Sequence, residues 1–141
     1  EEADAFKLFL LDCGLLGAMN MTDATEAMLT DNIFEEYNGA LTEQLVLQEL
    51  KCVPNLPVYY YTKQNSQQEI DFVIEIKNRA IPVEAKAGEN LQAKSLKQFI
   101  QENKSEKAIK TSLKQYKSNE IIDNVPLYAL YCYLLEPRST N

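Results

Sequence analysis

The fold is decided by two stretches, Glu69-Ile70-Asp71-Phe72-Val73-Ile74 and, further along the chain, Val83-Glu84-Ala85-Lys86. Apolar and polar residues alternate through both, which is the pattern of half-buried β-strands. The turn-forming pair Asn78-Arg79 lies between them. The sequence therefore predicts an antiparallel hairpin with strands over residues 69–77 and 81–87.

The expected register of this hairpin brings charged side chains together. Centring the turn on Asn78-Arg79 places Val73 opposite Glu84 and Asp71 opposite Lys86. Residues two apart share a face, so these four share one side, and the Cβ atoms of Asp71 and Glu84 should lie about 7–8 Å apart on a diagonal. Two carboxylates at that spacing can share one divalent metal ion. The opposite, core-facing side should carry Ile70, Phe72, Ile74, Ile76, Ile81 and Ala85.

A helix predicted over residues 40–51 adds a third carboxylate. It follows a predicted turn at Asn38-Gly39, and its apolar stripe consists of Val46, Leu47 and Leu50. Glu43 lies in the middle of that stripe, where a charge is costly unless it has a partner. A metal ion, a lysine or a hydrogen-bonded water would supply one.

The rest of the chain predicts helices around a small sheet. Asp12 can cap a short helix, and Thr22 or Asp23 can cap another through Leu29. Further elements are a strand over 58–62, a helix over 93–102, a strand over 107–113 and a final helix capped by Asn124. In that last segment Leu127, Leu130, Tyr131 and Leu134 have helical spacing, although the tyrosine and cysteine content also allows a strand. Together they predict one α/β (α+β) domain with a central mixed sheet flanked by helices.

The amino-acid composition limits the kinds of metal site and cross-link that the sequence predicts. The chain has 141 residues, no histidine and three scattered cysteines, Cys13, Cys52 and Cys132. Zinc and disulfide frameworks are therefore disfavoured, a cytoplasmic location is expected, and any metal should be an oxygen-bound Mg²⁺ or Mn²⁺. No apolar run approaches the ~20 residues that span a bilayer, so no membrane partner is expected.

Charge is distributed unevenly. The net charge is −7, but residues 1–50 contribute −10 and residues 51–141 contribute +3. A phosphate-facing surface is one interpretation of the basic segment, and a solvated helix and loop is the other. Its lysines are Lys94, Lys97, Lys104, Lys107, Lys110, Lys114 and Lys117.

The ordered motifs resemble a known superfamily. Gly39-x-x-x-Glu43, Ile70-Asp71 and Glu84-x-Lys86 are similar to the PD-(D/E)XK nucleases, which include Holliday-junction resolvases and restriction endonucleases. Ile70 stands where that pattern often has proline. A closer resemblance, over residues 6–135, is to a C-terminal domain of unknown function of prokaryotic AAA-type ATPases. It is carried by Phe9-Leu10-Leu11-Asp12-Cys13-Gly14-Leu15-Leu16, Gly39-Ala40-Leu41-Thr42-Glu43, Glu69-Ile70-Asp71-Phe72-Val73, Val83-Glu84-Ala85-Lys86-Ala87-Gly88 and Lys94-Ser95-Leu96-Lys97-Gln98-Phe99.

The resemblance implies a restriction-endonuclease-like domain over residues 1–141, at the C-terminal end of a longer ATPase chain. It implies that Asp71 and Glu84, with Glu43, bind Mg²⁺ or Mn²⁺, and that Asp71, Glu84 and Lys86 catalyse phosphodiester cleavage in DNA. The missing ATPase module would be a second partner. The chain has no Gly-Lys-Ser/Thr phosphate loop of its own.

Two alternatives stay open. One is a catalytically inactive module that uses the nuclease fold to bind a protein or a nucleic acid. The other is a structural domain in which the carboxylates form ion pairs with lysines, for example Asp71 with Lys86 across the hairpin.

Overall fold

The computed structural model describes residues 7–19, 34–63, 68–87 and 94–136. Within these ranges there are four α-helices and six strands. The helices are α1 (Cys13–Met19), α2 (Phe34–Cys52), α3 (Lys94–Asn103) and α4 (Leu130–Leu135), the last preceded by a 3₁₀ turn, Leu127–Ala129. The strands are β1 (Val58–Thr62), β2 (Glu69–Ile76), β3 (Arg79–Ala85), β4 (Ala108–Ser112), β5 (Lys117–Ser118) and β6 (Ile122–Pro126).

The strands form one mixed sheet in the order β1-β2-β3-β4-β6-β5. The first three strands are an antiparallel meander, and β4 then runs parallel to β3 after the crossover that contains α3. β6 is parallel to β4, and the short β5 pairs antiparallel at the far edge. This confirms the predicted α+β architecture with a central mixed sheet.

The core consists of two apolar clusters that the sheet separates. Successive β4 residues belong to different clusters, Ile109 to the larger and Ala108 to the smaller, as strand alternation requires. Val46 and Leu50 of α2 pack in the larger cluster, which confirms the predicted apolar stripe. The smaller cluster holds the predicted inward residues of α3, Leu96, Phe99 and Ile100.

The β2–β3 hairpin turns one residue earlier than predicted. Its two-residue loop is Lys77-Asn78, with φ angles of 50° and 64°, and Ile76 pairs with Arg79. A two-residue hairpin favours a turn with positive φ at both positions, which asparagine tolerates well. The predicted register is therefore wrong by two residues, since Val73 pairs with Pro82 rather than Glu84.

A β-bulge in β2 breaks the predicted alternation. Tyr59 pairs with Val73 and Tyr61 with Ile70, so two β2 residues, Asp71 and Phe72, face the single residue Tyr60. Ile70 accordingly lies in the smaller cluster while Phe72 lies in the larger one. The expectation that Ile70 shares the face of Phe72 assumed a regular strand and is wrong. Val73 pairs with Pro82, two residues before Glu84, and packs against the smaller cluster, so it does share the face of Glu84. Phe72, Ile74, Ile81 and Ala85 do share the larger cluster, as predicted.

Two further expectations are wrong. Residues Asn38-Gly39 lie inside α2 rather than in a turn, and a Cβ at Gly39 would meet only open space. Asn124 does not cap the final helix, because residues 122–126 pair with β4 as a buried parallel strand, and the helical residues begin only at Leu127. The strand predicted over 58–62 is confirmed, and so, within one residue at each end, are α3 and β4. The helix expected from Thr22 or Asp23 lies outside the described residues.

None of the helices in the described ranges combines the length and apolar character needed to cross a bilayer.

The hairpin turn gives a stability prediction. Asn78→Val should destabilise the fold by about 1–2 kcal/mol, because a β-branched residue is strained at the positive φ of this position. Asn78→Gly should keep wild-type stability. Urea unfolding measures both, with Ala80→Val, in the adjacent strand, as the control that tolerates valine. Equal stability of the two valine variants would contradict the turn assignment.

Candidate functional site

The β2 bulge places the Asp71 carboxylate beside the backbone of β3. Its Oδ2 accepts a hydrogen bond from the Ala85 N–H at 2.8 Å. The next amide, Lys86 N–H, donates to the Thr111 carbonyl in β4, so the Ala85 amide points the other way, toward β2. The Asp71 carboxylate thus accepts the hydrogen bond that a backbone carbonyl of β2 would accept if the β2–β3 ladder continued to Ala85. Its side chain is only 14% exposed.

Glu84 and Lys86 form an ion pair at the end of β3. Lys86 Nζ lies 2.6 Å from Glu84 Oε1. The residues are two apart, so they share the face opposite Val83 and Ala85. Glu84 is 5% exposed, and its second oxygen, Oε2, is buried with no hydrogen-bond partner among the described residues. A buried, half-satisfied carboxylate is costly unless a further cation or donor reaches it.

Lys7 is the site residue that sequence reasoning missed. Its Nζ lies 3.2 Å from Glu43 Oε2, 2.6 Å from Glu69 Oε1 and 3.9 Å from Asp71 Oδ1. Lys7 is the one lysine in the acidic segment 1–50, and this isolation is the only feature of the sequence that could have marked it as a site residue. Of the partners expected for Glu43, the structure therefore shows a lysine.

The segment that carries Lys7 is anchored to α2. Gln44 is 2% exposed, and its amide both accepts from Leu10 N–H and donates to the Leu10 carbonyl, each at 2.9 Å. Cys13 N–H donates to Gln48 Oε1 one helical turn further along. These bonds satisfy backbone groups of a segment that has no strand partner. They therefore fix the backbone from which the Lys7 side chain reaches the carboxylates.

The carboxylates at this site repel one another. Burial, followed by the charges of Glu84 and Glu43, raises the pKa of Asp71 to about 7, against the lowering effects of the Ala85 hydrogen bond and Lys7. Burial opposes the charged form of Lys7, but its hydrogen bond to Glu69 and the surrounding carboxylates raise its pKa overall. The cluster thus carries more negative charge than its lysines balance.

The predicted metal ligands fit a divalent ion in part. Among the residues that the structure describes, no three acidic or cysteine side chains are arranged to hold an ion together. Asp71 and Glu84 remain as two largely buried carboxylates that would be the ligands of such an ion, with the unpartnered Glu84 Oε2 as the observation that favours a cation. Mg²⁺ is commonly held by one or two carboxylates, with waters and substrate phosphate as the other ligands. Glu43 lies on the Lys7 side of Asp71, and the other predicted catalytic residue, Lys86, lies beside Glu84.

The raised pKa of Asp71 predicts a pH-dependent stability. Its folded value of about 7 lies above the ordinary 3.8. The folded state therefore binds this proton more tightly than the unfolded state does. The stability that this group contributes is lost as the pH rises from about 4 to about 7. Asp71→Asn cannot ionise. The unfolding free energy of Asp71→Asn minus that of wild type should therefore be larger at pH 8 than at pH 5, by of order 2 kcal/mol.

Urea unfolding at the two pH values measures this difference. Glu75→Gln, at an exposed position of the same strand, is the matched control and should show no such change. A stability difference between Asp71→Asn and wild type that is the same at both pH values would contradict the electrostatic assignment.

Comparison with known proteins places the chain in a family. No curated protein and no solved structure matches it significantly. A family profile described as "Domain of unknown function (DUF4143)" matches residues 38–130. That range spans α2 to the start of α4 and contains Glu43, Asp71, Glu84 and Lys86. Since it covers most of the chain, the protein belongs to the DUF4143 family.

Proposed function

We propose that this domain is a Mg²⁺- or Mn²⁺-dependent nuclease-like domain that acts on DNA. The observation that carries the proposal is the pair of buried carboxylates Asp71 and Glu84, one of which has an unpartnered oxygen, next to the Lys86 ammonium. The order helix, three antiparallel strands, helix and parallel strand supports it, because the PD-(D/E)XK resemblance implies a mixed sheet of this kind.

Each site residue has a distinct role in the proposed reaction. Asp71 and Glu84 would hold the ion, which when bound supplies a more acidic water and neutralises charge on the scissile phosphate. Lys86 would move from Glu84 toward the phosphate oxygens and stabilise the negative charge that develops there. The Ala85 N–H fixes the Asp71 carboxylate, so the position of this one ligand is set by the backbone.

A catalytically inactive binding module is the second candidate. It is favoured by the ion pairs that Lys7 and Lys86 form, because they neutralise part of the carboxylate charge without any metal. Such a module would bind DNA or protein, or the ATPase module that the sequence resemblance places before it. The two candidates differ in whether an ion displaces these lysines, so metal binding and cleavage must be measured separately.

Metal binding should depend on Glu84 and on pH. Mn²⁺ binding, measured by calorimetry, should be lost in Glu84→Gln and kept in Glu106→Gln, an exposed acidic control. Because the pKa of Asp71 is about 7, protons compete with the ion below that value, and affinity should rise about tenfold from pH 6 to pH 8. Binding that survives in Glu84→Gln would exclude this site.

Cleavage should depend on Lys86 more than metal binding does. With Mg²⁺ or Mn²⁺ and a branched or supercoiled DNA, Lys86→Met should lower the cleavage rate at least ~100-fold. Its Mn²⁺ affinity should stay equal or rise, because Glu84 loses a competing cation. Lys77→Met, in the exposed hairpin turn, is the control. Full cleavage by Lys86→Met would overturn the catalytic assignment, and absence of cleavage by wild type with intact metal binding would favour the inactive module.

A further inference from the structure

A groove beside the carboxylate site has no role in the chemistry described so far. It lies where β4 and β6 meet the segment leading to β5, and has a volume of about 680 Å³. Its walls include three lysines, Lys110, Lys114 and Lys117, together with Leu113, Tyr116 and Asn124. A cavity of this size matches the range in which proteins bind small ligands or a few ligand units.

The groove concentrates positive charge that the protein does not neutralise. Within the described ranges, Lys110, Lys114 and Lys117 form no ion pair with any carboxylate. Burial, followed by repulsion from Lys114, Lys97, Lys117 and Lys86, lowers the pKa of Lys110. Like charges held together in this way are stabilised by an anion bound among them.

The wall of the groove is held in place by buried polar side chains. Ser112 Oγ donates to Asn124 Oδ1 at 2.9 Å and accepts from Lys114 N–H at 3.2 Å. The Asn124 amide in turn donates to the Gln115 carbonyl at 3.0 Å. The connection from β4 to β5 is therefore fixed before any ligand arrives, which reduces the entropy lost on binding.

An aromatic ring is presented beside these lysines. Tyr116 is 56% exposed, and its ring lies 6.3 Å from that of Tyr133, which is hydrogen-bonded to Asp123. Leu113 is 75% exposed on the same connection. Lysines beside an exposed aromatic ring are a combination that proteins use to bind single strands, because phosphates contact the charges and bases stack on the ring.

We propose that this groove binds a single-stranded polynucleotide, with its phosphates on Lys110, Lys114 and Lys117 and a base against Tyr116. The assignment deepens the proposed function by naming its substrate class, and it rests on that function only for the direction of the strand. Lys110 is the residue paired with Glu84 in the parallel β3–β4 ladder, one strand spacing away. A strand leaving the groove past Lys110 therefore arrives at Glu84 and Lys86.

The local basic charge and the exposed Tyr116 ring favour a single strand over a duplex. The whole chain has a net charge of −7, so the basic surface is local, whereas a duplex presents closely spaced phosphates on two strands. The stacking surface of Tyr116 is also of use only to a base whose face is free. Duplex DNA stacks its bases internally and presents only their edges in the grooves.

Fluorescence anisotropy with labelled 15-mer oligothymidylate, in EDTA to prevent cleavage, tests the proposal. Lys114→Gln/Lys117→Gln changes two exposed lysines and should weaken binding about tenfold. It should also reduce the slope of log affinity against log salt by about 1.4, at roughly 0.7 for each lost phosphate contact. Tyr116→Ala should weaken binding about tenfold with an unchanged salt slope, because it removes stacking and no charge.

Lys51→Gln/Lys77→Gln is the matched control, since it changes the net charge equally at exposed lysines outside the groove lining. Thermal unfolding checks that every variant is folded, and Lys110→Gln provides a second test inside the groove. Equal weakening by the control pair, equal affinity for a blunt 15-base-pair duplex, or equal affinity for polyglutamate of similar length would each overturn the proposal.

The two proposals fail separately. Oligothymidylate binding that follows these variants, in a protein that cleaves nothing with Mg²⁺ or Mn²⁺, would keep the groove assignment and remove the nuclease. Cleavage by the wild type, together with oligothymidylate binding that is indifferent to the groove variants, would keep the nuclease and remove the single-strand site.

Discussion

The hydrogen bond from the Ala85 amide to the Asp71 carboxylate is the contact on which the arrangement of the site depends. It forms where the β2–β3 ladder ends at the Phe72–Val83 pair, next to the bulge that Asp71 and Phe72 make against β1, and it satisfies a backbone donor left beyond that end. A carboxylate in that position satisfies the donor but must be largely buried. Burial and nearby charges then raise its pKa to about 7, so one local irregularity sets both the position and the protonation of this group.

Alternation and helical spacing were sufficient to predict β1 to β4, the apolar stripe of α2 and the proximity of Asp71 to Glu84. The hairpin register was wrong by two residues, yet an even shift keeps every β3 side chain on its expected face, so Glu84 still lies on the same side of the sheet as Val73. The bulge was not predictable, because Ile70, Phe72 and Ile74 fit a regular strand equally well. Which of them changes face depends on α3 supplying a second apolar cluster, a tertiary effect.

Lys7 shows why the partner of a buried charge is harder to predict than the need for one. The position of Glu43 in an apolar stripe indicates that it requires a cation, but a lysine and a divalent ion satisfy that requirement alike. The choice depends on a segment 36 residues away that is fixed by Gln44. Since Lys7 contacts Glu43, Glu69 and Asp71 together, an ion bound by Asp71 must repel it or share its carboxylates.

Charged side chains from both parts of the chain meet at one end of the sheet. Lys7 and Glu43 come from the acidic first third, whereas Glu84, Lys86 and Lys110 come from the basic remainder. The carboxylates and the basic groove meet at the pair Glu84 and Lys110 on neighbouring parallel strands. An anionic chain held by the lysines on one side would bring its phosphates against carboxylates on the other, which is repulsive unless a cation lies between them. In the proposed reaction, polynucleotide and metal ion would therefore bind cooperatively, each reducing the electrostatic cost of the other.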